Sequence, residues 1–95
     1  MTTTTPQGAD TKSSYPLVTA LTAVRKSRQI TQAELAQRAG LSRMTVQRLE
    51  SNGLDPRLST LQEMARVLGY ELVAIPTDLK PAFTAWMDQQ LPGRR

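Results

Sequence analysis

Cysteine and histidine are both missing from this 95-residue chain, and each absence removes a class of chemistry. Without cysteine there are no disulfides, no thiolate nucleophile and no sulfur ligand for a metal. Without histidine the commonest general base and the commonest metal ligand are gone. No stretch approaches the ~20 apolar residues of a membrane span. Nothing at the N-terminus reads as a secretory signal, and there is no glycine-rich phosphate loop. Glu34, Glu50 and Glu63 fall at structural positions, so carboxylate-only catalysis is not expected. These absences lead to the expectation of a cytoplasmic protein that is not an enzyme, uses no cofactor or metal and has no membrane partner.

The length sets an upper limit of one domain with a modest core. Lys and Arg number 12 against 8 Asp and Glu, a net charge of +4, and the calculated pI is near 10.1. A mildly basic compact domain suits a phosphate backbone, a generic signal that gains weight only beside a specific motif.

That motif lies between Ile30 and Glu50, in ITQAELAQRAGLSRMTVQRLE. Thr31 and Glu34 form a T-x-x-E capping box that starts a helix at Gln32. Leu35, Ala36 and Ala39 share one face, and Gly40 ends the helix in the left-handed conformation. Leu41 plugs the joint and Ser42 is a good N-cap for a second helix. In that second helix Val46 and Leu49 point one way. Met44, Gln47 and Arg48 lie nearly opposite them at ~100° per residue, with Arg43 on the flank. Two short amphipathic helices with a tight joint make a helix-turn-helix, and the long, basic, amide-bearing face suits a major groove.

The remaining chain is simply organised. Residues 1–14 are rich in Thr, Ser, Pro and Gly and are expected to be a disordered arm, in which Lys12 is either a solvated charge or a DNA contact. Residues 15–69 form the helix-turn-helix domain. Its first helix begins at Pro16 with a core stripe of Leu17, Ala20, Leu21 and Val24, and ends in the basic cluster Arg25, Lys26 and Arg28. After a loop over 51–57, Ser59 with Gln62 offers a capping box for a fourth helix, with core residues Leu61, Met64, Ala65 and Leu68 and closure at Gly69. Residues 70–76 are strand-like and stopped by Pro76. A solitary strand leaves its backbone groups unpaired, so it either pairs with its counterpart in a second copy through Tyr70, Leu72, Val73 and Ile75, or is an irregular tail. Residues 77–95 are a C-terminal tail in which a short helix can start near Pro81. There Phe83, Trp86 and Met87 pack on a dimer seam or dock another protein, and the terminal Pro-Gly-Arg-Arg is expected to fray.

From Leu17 to Gly69 the chain resembles the Cro/C1-type (Xre-family) helix-turn-helix domain of phage repressors and small bacterial regulators. The residues behind the resemblance are Arg25, Thr31 to Ala36, Gly40-Leu41-Ser42, Val46, Leu49-Glu50 and the Leu61/Leu68 stripe. The resemblance implies an all-α, lambda-repressor-like fold of four to five helices with a short C-terminal strand pairing between subunits. It also implies a homodimeric repressor that binds double-stranded DNA at an inverted-repeat operator and joins the nucleoid when bound. The strand directly after the domain is similar to HipB-type antitoxins, which leaves a second reading open: neutralisation of a kinase-like toxin partner with autorepression of the operon.

Site roles follow from the same resemblance and from base chemistry. Arg43, Met44, Gln47 and Arg48 are the base-reading set: arginine grips guanine, glutamine suits adenine, and methionine can cover a thymine methyl. Family readers at these positions are often amides, so the Arg-Met pair departs from the pattern and leaves the operator sequence open. Gln32, Ser42, Thr45, Asn52 and Arg57 are the candidate phosphate contacts. Arg25 and Glu50 are expected to form a structural ion pair between the first and third helices.

Overall fold

The computed structural model describes residues 15–53 and 55–91. The expectations for the arm 1–14 with Lys12, and for the terminal 92–95, lie outside the described residues. Five helices occur in order: α1 (Pro16–Ser27), α2 (Gln32–Ala39), α3 (Arg43–Glu50), α4 (Leu58–Val67) and α5 (Lys80–Gln90), with a 3₁₀ turn, Thr77–Leu79, leading into α5. No strand occurs among the described residues.

The first four helices enclose one core. Val18, Leu35, Val46, Met64 and Leu68 are its largest fully buried side chains, joined by Leu21, Ala36, Ala39, Leu49, Leu61 and Ala65. Each large aliphatic group taken fully out of water contributes about 1.5–3 kcal/mol before ordering costs, so a core of this size is modest. The short α2 packs on both α3 and α4, while α1 closes the other side against the same two helices. Two alanines on the inner face of α2 permit this close approach.

All four helices of the body stop in the same way. One residue past the end of α2, and two past the ends of α1, α3 and α4, the backbone turns left-handed: Gln29 (φ 58°), Gly40 (φ 72°), Asn52 (φ 69°) and Gly69 (φ 79°). The following N–H then reaches back to a carbonyl of the last turn. Ile30 donates to Arg25 at 3.1 Å, Leu41 to Ala36 at 2.8 Å, Gly53 to Arg48 at 2.6 Å and Tyr70 to Ala65 at 2.7 Å. This Schellman closure satisfies carbonyls that a helix end otherwise leaves open. It also reverses the chain within two or three residues, which is how four helices fit into so short a segment.

Three expectations need correction. The inward stripe of α1 is Val18, Leu21 and Arg25; Val24 sits at the edge of the core, Ala20 is exposed and Leu17 is 48% exposed. Arg25 must point inward to meet Glu50, and that requirement turns the helix. Next, α4 starts at Leu58 with Arg57 in the N-cap position and no side-chain cap, so Ser59 and Gln62 lie within the helix and form no capping box. The Arg57 carbonyl already accepts the Leu61 N–H at 3.0 Å, which starts the helix two residues upstream of the expected cap.

The third correction concerns 70–76. This segment has no strand ladder, because a single chain offers its backbone nothing to pair with. Leu72, expected at a subunit seam, packs instead against the protomer's own core. Val73 is 69% exposed and Ile75 and Tyr70 are partly so. Tyr70 is anchored by its N–H, and the Arg28 guanidinium lies 5.8 Å from the centre of its ring. The same guanidinium donates to the Leu68 carbonyl, tying the end of α1 to the end of α4.

Candidate nucleic-acid interface

The second helix of the pair, α3, is fixed at its start by Ser42. The Ser42 hydroxyl accepts the Thr45 N–H at 3.0 Å and shares a second hydrogen bond, 2.9 Å, with the Thr45 hydroxyl. One helix upstream the capping box of α2 is complete: Thr31 Oγ1 accepts the Glu34 N–H at 3.0 Å, and the Glu34 carboxylate accepts the Thr31 N–H at 2.8 Å. Those bonds, the Thr31 backbone N–H first, hold the Glu34 carboxyl below its ordinary value of 4.5, with Arg38 adding a smaller pull. Both helix starts are thus set by local side chain–backbone bonds, as the sequence indicates.

The far end of α3 is fixed by charge. Arg25 of α1 donates to Glu50 through Nε, 2.7 Å to Oε2, and Nη2, 2.9 Å to Oε1. Its third donor, Nη1, reaches the Ile30 carbonyl at 2.7 Å. Gln32, the first residue of α2, adds its amide N–H to Glu50 Oε1 at 2.9 Å. Three helices therefore meet on one buried carboxylate. Val46 and Leu49 seal the inward side of α3 in the core. One end capped, one end clamped and one face buried together set how α3 sits on the body.

What α3 leaves outside is a continuous band. Arg43, Gln47, Met44 and Arg48 are all exposed, Met44 by 56%, and at ~100° per residue they span an arc of roughly 140°. Two guanidiniums flank an amide and a thioether. That set offers bidentate donors for guanine, a donor–acceptor pair for adenine and an apolar contact for a thymine methyl.

The five phosphate candidates are placed less uniformly. Ser42 and Thr45 sit together at the start of α3 and already bond each other. Asn52 turns the chain at the end of α3, and Arg57 is exposed at the start of α4. Gln32 is half-buried and turned toward Glu50, so one of its two amide N–H donors is spent inside the protein. Spacing gave no signal for that link, which closes only when α2 and α3 are packed. Of the four seam candidates, Tyr70, Val73 and Ile75 are partly exposed and Leu72 is turned inward. Among the described residues no three His, Cys, Asp or Glu side chains gather where a metal could be held, and no helix is long and apolar enough to cross a membrane.

Comparison with known proteins matches a helix-turn-helix family over residues 21–75. Antitoxin HigA1 of Mycobacterium tuberculosis is 42% identical over 71 residues, covering 72% of this chain and 48% of the relative. An uncharacterized HTH-type transcriptional regulator, y4dL, of Sinorhizobium fredii is 34% identical over 68 residues, 72% of this chain and 35% of the relative. The immunity repressor protein of Bacillus phage phi105 is 43% identical over 53 residues, 56% of this chain and 37% of the relative. The chain spans half or less of the length of each of these curated relatives.

Proposed function

This chain belongs to the Cro/C1-type helix-turn-helix family, and from that premise we propose that it is a transcriptional repressor that reads double-stranded DNA as a homodimer. The observation behind this reading is the exposed band of Arg43, Met44, Gln47 and Arg48 on a helix hydrogen-bonded to its surroundings at both ends. Two copies present two such helices to successive major grooves about 34 Å apart, and the operator is an inverted repeat. Ser42, Thr45, Asn52 and Arg57 flank the band as phosphate contacts. Gln32 joins them through the amide hydrogen that Glu50 does not use. Phosphate contacts supply affinity and steep salt dependence, while the band supplies discrimination. No chemical step is involved.

The test is selection of binding sites from random duplexes. An inverted repeat with guanine at the positions facing arginine is the expected outcome. Enrichment of no motif, or of a single-stranded element, rejects the reading.

A second reading is favoured by one observation, the 42% identity to a protein named as an antitoxin. In it the same reader controls an operon while a surface outside α1–α4 engages a toxin. The kinase-like toxin of the HipB resemblance rested on a strand after the domain, and no such strand forms in the single chain. A cognate toxin that copurifies with this chain and is lost on removing residues 77–95 distinguishes this reading from a stand-alone repressor.

A further inference from the structure

The four helix closures of the body differ in one chemical respect. Each needs a residue that accepts a left-handed backbone, and α2 and α4 use glycine, at Gly40 and Gly69. The closure of α1 uses Gln29, followed by the branched Ile30. Of the four, only α3 closes on an asparagine, Asn52, and it is the one asparagine of the chain. The next residue has a demand of its own. A Cβ at Gly53 would stand 3.3 Å from the Arg48 carbonyl oxygen and 3.6 Å from the Arg48 Cβ, leaving little room for a side chain. One position requires a left-handed φ and the other bare backbone, and together they set Asn beside Gly.

We propose that Asn52-Gly53 is a site of spontaneous deamidation, and that the reaction lowers the affinity of α3 for DNA. The inference rests on the DNA-binding reading above. Asparagine is among the chemically labile residues. The Gly53 backbone nitrogen, once deprotonated, attacks Cγ of Asn52. A carbon–nitrogen bond forms, the bond from Cγ to the side-chain nitrogen breaks, and ammonia departs to leave a five-membered succinimide. Water then opens the ring at either of its two carbonyls. One opening gives aspartate; the other gives isoaspartate, in which the main chain runs through the former side chain. The sum is an amide and water giving a carboxylic acid and ammonia, with no oxidant or further reactant. Glycine at 53 favours the step, because it neither blocks the attack nor restricts the backbone rotation it needs. Gln29 would need a six-membered ring formed against a β-branched neighbour, and Gly40 and Gly69 have no side-chain amide to lose.

The fold sets the pace. Ser51, Asn52 and Gly53 are exposed, so water and hydroxide reach the pair. The Gly53 N–H donates to the Arg48 carbonyl at 2.6 Å, which holds the nucleophile in the closure. Attack therefore proceeds when the last turn of α3 opens, a local event far less costly than unfolding the body. The products damage α3 in two ways. Each puts a carboxylate where the reading above has an amide meeting a phosphate, at the negative end of the helix. The isoaspartate also adds a main-chain carbon between positions 52 and 53, so the bond to the Arg48 carbonyl no longer closes.

The experiment ages the full chain in warm, mildly alkaline buffer and follows, by peptide mapping, the mass gained when NH2 is replaced by OH. The more acidic product is separated by ion exchange and titrated with duplex at fixed salt. The gain is expected first on the peptide spanning Asn52, with aspartate and isoaspartate both present. The product should bind duplex about tenfold more weakly than fresh protein, whatever the sequence, because the lost contact is to phosphate. Asn52→Asp should reproduce the loss without ageing. Asn52→Gly keeps the left-handed turn, so it should gain no mass on that peptide and hold its starting affinity as it ages. An Asn52 peptide that stays unchanged while glutamine peptides gain mass rejects the chemistry. Mass gain at Asn52 with unaltered duplex binding refutes the effect on α3. A fresh chain that binds no duplex removes the DNA reading itself, a failure visible before ageing begins, and the proposed loss of affinity goes with it.

Discussion

Arg25 and Glu50, twenty-five residues apart, meet through two parallel bonds of 2.7 and 2.9 Å in a site where both side chains are about nine-tenths buried. Arginine suits this position because its planar fork matches both carboxylate oxygens and still leaves a donor for the Ile30 carbonyl. The pair joins α1 to the end of α3. It fixes the angle of α3 more than it adds net stability, since desolvating two charges offsets most of their attraction.

That asymmetry gives the first prediction. Arg25→Ala leaves Glu50 buried with only Gln32 as partner and should cost about 3–5 kcal/mol in urea unfolding. The double change Arg25→Met with Glu50→Leu removes both charges and should cost far less than the single one. Equal losses from the single and double variants would show that packing of the arginine stem, not its charge, matters.

Arg43→Ala should weaken binding to the preferred operator by about 1–3 kcal/mol and binding to random duplex much less. Titrations at one salt concentration decide it, because salt alone changes such affinities widely. A uniform loss on both DNAs would make Arg43 a phosphate contact and move discrimination to Gln47 and Arg48.

Gln29 holds a left-handed conformation, φ 58°, that a side chain resists by about 1–2 kcal/mol. Gln29→Gly should therefore stabilise the domain, by about 0.5–1 kcal/mol once the greater freedom of glycine when unfolded is counted. Chemical denaturation measures it, and a loss of stability would mean that the glutamine side chain makes an essential contact.

Glu34 provides a pH test. Its folded carboxyl lies below the ordinary value of 4.5, so the charged form stabilises the fold fully above that value, and the contribution disappears as pH falls through the lower, folded value. Glu34→Gln keeps a reciprocal cap but cannot titrate there. Between about pH 5 and 3 the wild type should lose stability more steeply than the variant. Parallel slopes would place the acid sensitivity elsewhere.

Local chemistry is legible in the sequence. The Thr31/Glu34 box, Ser42, Gly40 and the outward set on α3 are settled by residue type and spacing over one or two turns. The family resemblance supplied the Arg25–Glu50 pair. What escaped depends on contacts distant in sequence. The true face of α1 is decided by where Glu50 lies, and Leu72 is drawn inward by a core edge formed much earlier in the chain. Gln29 in a left-handed turn gave no signal, because glutamine has no preference for it. Asn52 is a residue type that tolerates such a turn, and the closure of α3 uses it, though the loop over 51–57 was all that the sequence indicated there.

The joint between α2 and α3 consists of Gly40, Leu41 and Ser42, with no slack. One extra residue there would turn the register of α3 by ~100° against the body. Val46 and Leu49 would then turn out of the core, and Arg48 would be driven toward the place of Leu49. Length variation in this stretch is therefore forbidden by steric phase, whereas the loop before α4, with seven residues between helices, has room to absorb it.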